Sequence, residues 1–258
     1  MLASACSHDP IKIGDIQEIS SVEQMKPFLR RLDHTSLVVF DVDFVILMPV
    51  DKIGLPESKP IRQKIFKHYV PKLGKAQAKN LFVTFNKLVQ RKLVEPETAN
   101  IIRDLHQRQI PTIALSALSM KPLGPVKDPM SFRLAGLRQH GIWFTDSLEG
   151  KQVTWSQDSG YQAGVILSGA QIKGDALEHY LDNIAKSHPS TVVFIDDRLD
   201  WLHSVQQMCD KKGIAFKGFH YSAEVLKGNV ADPEMAWEQF KVLHGKGAWI
   251  PDAVFLKR

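Results

Sequence analysis

The stretch Val38-Val39-Phe40-Asp41-Val42-Asp43-Phe44-Val45 decides the fold of this chain. With the two residues before it, the run 36–40 predicts a short buried strand, and two carboxylates follow that strand at once. Residues two positions apart on a strand share a face, so Asp41 and Asp43 are expected to reach one ligand near the strand end. An Asp-x-Asp pair alone is a weak signal, and solvated turn carboxylates are the alternative.

Three further apolar runs predict strands, and helical patterns lie between them. The predicted strands are 36–40, 110–115, 191–195 and 213–216, with a further strand or hairpin over 160–169; the predicted helices are 98–109, 131–140, 175–187 and 199–212. Strands that alternate with helices indicate an α/β fold, in which helices cover both faces of a parallel sheet. Ligand sites of such sheets lie at the carboxyl ends of the strands, so the informative residues are those just after each strand.

Polar residues occupy several of these informative positions. Ser116 and Ala117 follow the second strand, Lys173 precedes a helix, and Asp196-Asp197 follow the run 191–195. Taken singly, a Ser after a strand is typically a helix N-cap, and a lone Lys is typically a solvated surface charge. The adjacent acids are less easily explained in this way, because like charges side by side are unfavourable unless a cation neutralises them.

The order of these residues matches a known pattern. Two acids, a hydroxyl, a Lys and two further acids follow one another as in the four motifs of the haloacid dehalogenase (HAD) superfamily. The sequence resembles that superfamily over about residues 36–200, and it is most similar to small HAD-like proteins found in intracellular bacteria. The resemblance implies an α/β fold with a HAD-type, Rossmann-like parallel sheet, helices on both faces and a small helical cap inserted after the first strand.

The resemblance also implies roles for individual residues. In phosphatases of the superfamily the first Asp of the first motif attacks phosphorus, which here assigns Asp41 as the nucleophile that forms an aspartyl-phosphate. The second, Asp43, would protonate the leaving alcohol and then activate water, and its presence favours phosphatase chemistry. Ser116 and the backbone N–H of Ala117 would hold a phosphoryl oxygen, while Lys173 would pair with the nucleophile and the phosphate.

A Mg²⁺ site is implied at four acids: Asp41, Asp43, Asp196 and Asp197. The metal would take a carboxylate oxygen of Asp41 and the backbone carbonyl of Asp43. We expect Asp197 to be a direct ligand and Asp196 to orient Lys173 or a metal-bound water, although an exchange of these two roles stays open. Mg²⁺ binds through few carboxylates and keeps several waters, which suits such a site.

Residues 50–94 differ in character, because they carry eleven Lys or Arg and two acidic residues, a local charge of +9 in a chain whose net charge is +5. Apolar residues recur there at helical spacing on both sides of 71–74, which predicts two amphipathic helices. We therefore divide the chain into a HAD-like α/β core, residues 1–49 and 95–258, and a small basic helical cap, residues 50–94. The charge predicts attraction of anionic substrates; the alternative is that it only solvates two helix faces.

These features predict a Mg²⁺-dependent phosphomonoester hydrolase. The lead substrate class is a phosphoprotein, with phosphotyrosine ahead of phosphoserine, because a short cap leaves the site open to a macromolecule. The alternatives are a phosphatase of a small metabolite or nucleotide, and a non-catalytic phosphate-binding or interaction protein. A receiver domain is disfavoured, because its acidic pair comes early and its phosphoacceptor lies on a later strand. A nucleic-acid end phosphate is a further alternative substrate, but the net charge of +5 alone does not favour a nucleic-acid partner.

Composition indicates an ordinary globular protein, with 44% hydrophobic and 24% charged residues among 258. Two cysteines, Cys6 and Cys209, are too few for a disulfide framework and are expected to be free thiols. No apolar run reaches the roughly 18 residues of a membrane span, and no signal peptide is recognisable. We expect a soluble chain, either cytoplasmic or exported by a specialised secretion system as a host-directed effector.

Overall fold

A computed structural model describes residues 15–145 and 148–256. The strands of this part of the chain are β1 (Asp15–Ile19), β2 (Ser36–Phe40), β3 (Leu47–Pro49), β4 (Arg91–Leu93), β5 (Thr112–Ser116), β6 (Val153–Thr154), β7 (Gly160–Gln162), β8 (Val165–Leu167), β9 (Thr191–Asp196) and β10 (Ala215–Tyr221). Its α-helices are α1 (Lys26–Leu29), α2 (Lys59–Leu73), α3 (Lys75–Leu88), α4 (Glu97–Gln107), α5 (Pro129–Arg138), α6 (Lys173–His179), α7 (Leu199–Lys212), α8 (Pro233–Lys246) and α9 (Asp252–Phe255). A π-helical segment, Tyr180–Ala185, continues α6.

In the described part of the chain, eight strands form the central sheet in the order β1-β10-β9-β2-β5-β8-β7-β6. The pairs from β1 to β8 are parallel, and only the last two pairs, β8 with β7 and β7 with β6, are antiparallel. This arrangement confirms the predicted α/β class with a mostly parallel central sheet. The site-bearing strand β2 lies in the middle, between β9 and β5, and all five of its residues are buried.

Helices cover both faces of the sheet. Side chains that alternate along β2 belong to two separate hydrophobic clusters, one on each face. Val38 and Phe40 belong to the cluster that contains the apolar faces of α4 and α5. Leu37 and Val39 belong to the cluster that contains the apolar faces of α6 and α7. The carboxyl end of β2 is thereby held between two packed layers of helices. This packing fixes the position of Asp41, the first residue after the strand.

Most of the elements predicted around the site are confirmed. The predicted strands 36–40, 110–115 and 191–195 correspond to β2, β5 and β9, and the predicted helix 199–212 has the same bounds as α7. The predicted strand 213–216 overlaps only the first two residues of β10. The stretch 160–169 contains the antiparallel hairpin of β7 and β8. Cys209 is a buried free thiol as predicted, whereas Cys6 lies outside the described residues.

The insertion after β2 contains two helices, as predicted. Gly74 follows α2 directly, and its φ of +80° is a conformation that glycine adopts without strain. The short antiparallel pair β3 and β4 brackets the insertion at its base. The buried residues of α2 and α3 share a third hydrophobic cluster with Phe240 and Leu243 of α8. Helix α8, which the division at residue 94 assigns to the core, therefore packs with the inserted helices.

Specific contacts connect the insertion with the C-terminal region. The Tyr69 hydroxyl donates to the carbonyl of Phe240 at 3.3 Å, and the Phe85 ring lies 4.6 Å from that of Trp249. The buried carboxylate of Asp51 accepts hydrogen bonds from the Trp249 indole at 2.6 Å and from the backbone N–H of Asp252 at 2.9 Å. The helical cluster is thus built from two distant parts of the chain.

Candidate active site

The site begins where β2 and β9 end side by side. Asp41 directly follows β2, and its backbone N–H donates to the carbonyl of Ile195 at 2.9 Å. Asp196 is the last residue of β9, and Lys173 is the first residue of α6. The parallel register places the two carboxylates at one edge of the sheet, where the start of a helix delivers the Lys.

Lys173 bridges the two carboxylates. Its Nζ donates to Oδ1 of Asp41 and to Oδ2 of Asp196, each at 2.6 Å. Lys173 is 1% exposed and Asp196 is fully buried. Removing an ammonium group and two carboxylates from water is costly unless they compensate one another, so a cluster of this kind is not a by-product of packing.

Burial controls the titration of this cluster. Burial, with the nearby charges of Asp196 and Asp43, raises the pKa of Asp41 to about 7 although Lys173 opposes the shift. Burial likewise raises the pKa of Asp196 to about 6 against the effect of Lys173. Burial lowers the pKa of Lys173, but the two carboxylates outweigh it, and the net shift is upward. The Lys is therefore held as a cation between two acids.

Asp197 adds a third carboxylate to this group. Asp41, Asp196 and Asp197 each offer one oxygen, and the three oxygens lie within 4.8 Å of one another. Burial and the charge of Asp41 raise the pKa of Asp197 to about 7. Three clustered oxygen donors of mutually repelling acids suit a hard divalent cation such as Mg²⁺, which would neutralise them.

The two acids at the end of β9 have different surroundings. Asp196 accepts from Lys173 with Oδ2 and from the backbone N–H of Arg198 with Oδ1 at 2.9 Å, so both of its oxygens are engaged. The backbone carbonyl of Asp197 lies 3.2 Å from Nε2 of His220, while its side chain remains partly exposed. This geometry leaves the Asp197 carboxylate as the more accessible of the two to a metal ion.

Asp43 has partners that the sequence does not indicate. Its carboxylate accepts from both terminal nitrogens of Arg133, at 3.2 and 2.5 Å, and from Nη1 of Arg91 at 2.9 Å. Burial raises the pKa of Asp43, but the two arginines outweigh it and hold that pKa at about 2. The three-carboxylate group contains no oxygen of the Asp43 side chain. Asp43 is thus held as an anion, which opposes the proton donation expected of a general acid.

Ser116 ends β5, the strand next to β2, and it is fully buried. Its hydroxyl oxygen accepts the backbone N–H of Leu118 at 3.3 Å, and Ala117 after it is exposed. Among the described contacts none joins this hydroxyl to Asp41 or Lys173. The structure therefore places Ser116 and Ala117 at the same edge of the sheet, with the hydroxyl engaged in a local turn.

Comparison with known proteins gives a family for the chain. A family model described as "Protein of unknown function (DUF2608)" matches residues 13–251. The chain belongs to this family. A Chlamydia pneumoniae protein named "Putative outer membrane protein" is 29% identical over 80 residues, which cover 31% of this chain and 30% of that protein. No solved structure matches the chain.

That relative's name refers to a membrane, and the match spans only about 30% of the relative's length. Within 15–145 and 148–256 of the DUF2608 chain, no helix has the length and apolar character needed to cross a bilayer.

Beside the candidate site of this DUF2608 protein lies a cavity of about 310 Å³. The core contributes Asp43, Phe132 and Arg133 to its wall, and the insertion contributes Arg91 and the side of α3 that carries Val83. Neither Arg is among the residues that the motif resemblance identifies. The only sequence signal for Arg133 is its place in the apolar pattern of α5, since a buried Arg needs an acidic partner.

Proposed function

We propose that this chain is a Mg²⁺-dependent phosphomonoester hydrolase of the HAD superfamily, with Asp41 as a covalent nucleophile. The observation that carries the proposal is the buried Lys173, which lies between Asp41 and Asp196 and next to Asp197. An ordinary structural ion pair needs one acid, whereas this arrangement gathers three acids and one Lys at the carboxyl edge of a parallel sheet, where such folds bind ligands.

In this proposal the first step is an attack by a carboxylate oxygen of Asp41 on phosphorus. A bond forms between that oxygen and phosphorus, the ester P–O bond breaks, and the alcohol leaves. Lys173 offsets the repulsion between the attacking carboxylate and the anionic phosphoryl group. Water then attacks phosphorus, inorganic phosphate departs, and the carboxylate is restored. Mg²⁺, when bound, supplies charge neutralisation for the phosphoryl oxygens.

The proton for the leaving oxygen is expected from Asp43. In the arrangement described above Asp43 is paired with Arg91 and Arg133, so proton donation requires that at least one arginine first move away. Esters with good leaving groups, such as nitrophenyl phosphate, do not need this proton and should be hydrolysed even while the pairing lasts.

The lead substrate class remains a phosphoprotein, with phosphotyrosine ahead of phosphoserine. In support, most lysines of the insertion 50–94 are exposed, which leaves their charge available to an anionic surface. In this proposal the insertion acts as a small cap together with α8. The insertion's contribution of Arg91 to the wall beside Asp43 supports this reading. A small metabolite or nucleotide is the alternative substrate.

The test is a hydrolysis screen of phosphopeptides, sugar phosphates, nucleotides and nitrophenyl phosphate, with Mg²⁺ and with EDTA. We expect turnover in Mg²⁺ only, no turnover by Asp41→Asn, and wild-type turnover by Asp200→Asn, whose carboxylate is exposed and paired with Arg198. Intact-mass measurement should detect a phosphoenzyme in the wild type. Equal turnover by a folded Asp41→Asn variant contradicts the mechanism, and phosphate binding without turnover would favour a non-catalytic binding protein.

A further inference from the structure

We propose that the cavity between the insertion and the core binds a single-ring aromatic group that carries a carboxylate, and that Arg91 binds that carboxylate. Under the proposed function, on which this part of the inference rests, the aromatic group is the leaving group of the phosphomonoester, and such a ligand favours the small-metabolite alternative of that proposal over a phosphoprotein. The binding itself does not depend on hydrolysis. Three properties of the cavity lead to this ligand: its size, its apolar wall and its excess of positive charge.

The size and wall of the cavity favour a small aromatic body. A volume of about 310 Å³ is at the lower end of the range for small-molecule sites, which suits one substituted ring and is too small for a dinucleotide. Phe44 and Phe132 contribute aromatic rings to the wall, and Val83 and Leu118 contribute aliphatic side chains. A flat apolar group buries its faces against such a wall.

The charges around the cavity are not balanced. Among residues 15–145 and 148–256, the charged residues that line it are Lys87, Arg91, Arg133 and a single acid, Asp43. Arg133 uses both terminal nitrogens on that acid, is 5% exposed, and has a buried Nε without a hydrogen-bond partner. One carboxylate thus faces two guanidinium groups, and a second anion would offset the positive charge that remains.

Arg91 is the residue best placed to bind this second anion. It donates to Asp43 through Nη1, and its other N–H groups have no acceptor among the described residues. A guanidinium has five N–H donors in a planar fork that matches a carboxylate. Because Arg91 belongs to β4, at the base of the insertion, a ligand held by it contacts both the insertion and the core.

The cavity lies next to the site of the proposed reaction. Asp43 lines the cavity and lies two residues after Asp41, close enough for its charge to act on that carboxylate. In the proposed mechanism Asp43 protonates the leaving oxygen, so the ring of the leaving group would lie on the Asp43 side of the site, where the cavity is.

The binding test uses two probes of similar size and shape, the anionic 4-hydroxybenzoate and the neutral 4-hydroxybenzamide, titrated by NMR into the metal-free full chain. We expect the carboxylate to bind about tenfold or more tightly than the amide, which is the effect of one charge-assisted contact. Arg91→Gln should abolish this preference. Lys92→Gln removes the same charge from the next residue of β4, which is exposed, and should retain the preference.

A second variant tests the location of the ring. Val83→Trp fills the cavity and leaves the arginines in place, so it should weaken binding of both probes about tenfold or more. It also decides the outcome if Arg91→Gln does not fold, as judged by circular dichroism. Equal binding of the two probes, equal effects of Arg91→Gln and Lys92→Gln, or unchanged binding by Val83→Trp would each overturn the proposal.

Hydrolysis of the phosphate monoesters of the same two phenols separates this inference from the proposed function. Arg91→Gln should raise KM for the carboxylated ester about tenfold more than for the amide ester. Any effect of the substitution on Asp43 is common to both esters and does not change the ratio of the two increases. If Arg91→Gln impairs both esters alike, Arg91 serves the reacting phosphoryl group and the assignment is overturned. If neither ester is hydrolysed while carboxylate-selective binding persists, the proposed function fails and the binding site stands.

Discussion

Replacing Lys173 by methionine should lower the unfolding free energy of the metal-free protein by about 3–5 kcal/mol at pH 8. The substitution keeps much of the side-chain volume and removes two hydrogen-bonded ion pairs of 2.6 Å, both formed by a side chain that is 1% exposed. A hydrogen bond to a charged group contributes about 1.5–3 kcal/mol. The loss of two such bonds is therefore consistent with the expected cost of leaving buried charges unpaired.

The cost should depend on pH. In the wild type the pKa of Asp41 is about 7 and that of Asp196 is about 6, both above the usual value of 3.8. Loss of the Lys cation raises both pKa values further. The folded variant therefore binds more protons than the unfolded chain over a wider pH range than the folded wild type does. Folding stability then falls as pH rises, by about 1.4 kcal/mol per pH unit for each extra proton that the folded state holds. The substitution should therefore cost less at pH 5.5 than at pH 8.

Urea unfolding in EDTA at both pH values provides the assay. Lys212→Met is the matched control, because Lys212 pairs with Asp182 at 2.7 Å at the surface, where such pairs contribute about 0–1 kcal/mol. If Lys173→Met costs no more than Lys212→Met, or if its cost is the same at pH 5.5 and pH 8, Lys173 does not compensate the two acids and the electrostatic reasoning is wrong.

Three further predictions concern the metal, the insertion and the buried thiol. Asp197→Asn should weaken Mg²⁺ binding about tenfold or more by calorimetry, and Asp200→Asn should not; equal affinities would exclude Asp197 as a ligand. Replacing four exposed lysines of the insertion with glutamine should lower kcat/KM for acidic phosphopeptides with little change in kcat, as added salt should in the wild type; an equal effect on nitrophenyl phosphate would indicate a merely solvated surface. The lysines to change are Lys64, Lys67, Lys75 and Lys79. In a Cys6→Ser background, Cys209 should resist a thiol reagent at pH 8 until the protein is unfolded, because burial raises its pKa to about 12; rapid reaction of the native protein would contradict this.

The central strands can be predicted because their burial is visible in the sequence. The bounds of β2 match the predicted run, since a strand covered on both faces reads as an uninterrupted apolar segment. The edge strand β1, Asp-Ile-Gln-Glu-Ile, is not predicted, because three of its five side chains are exposed and polar. Its place in the sheet comes from parallel pairing with β10, which local sequence does not encode.

The candidate site also has one part that the sequence predicts and one part that it does not. The approach of Asp41, Lys173 and Asp196 follows from motifs at strand and helix ends, which a parallel sheet brings to one edge. The ion pairs of Asp43 could not be predicted, because its partners Arg91 and Arg133 lie 48 and 90 positions away on elements whose own sequences do not specify a partner. The motif shows that an acid is present at a given position. The surroundings that set the pKa of that acid depend on tertiary contacts, which the motif does not show.

The packing of α8 on the inserted helices has a consequence for the order of folding. The hydrogen bond between Tyr69 and Phe240 joins residues 171 positions apart, so α2 and α3 leave the ribosome long before the helix that covers them. The sheet residues 36–40 and 112–116 can meet during that interval, but the apolar face shared by Tyr69, Phe85 and Phe240 cannot close. The hydrophobic cluster of α2, α3 and α8 is therefore completed late in synthesis, and a nascent chain that stalls before residue 240 exposes an aromatic surface that is prone to association.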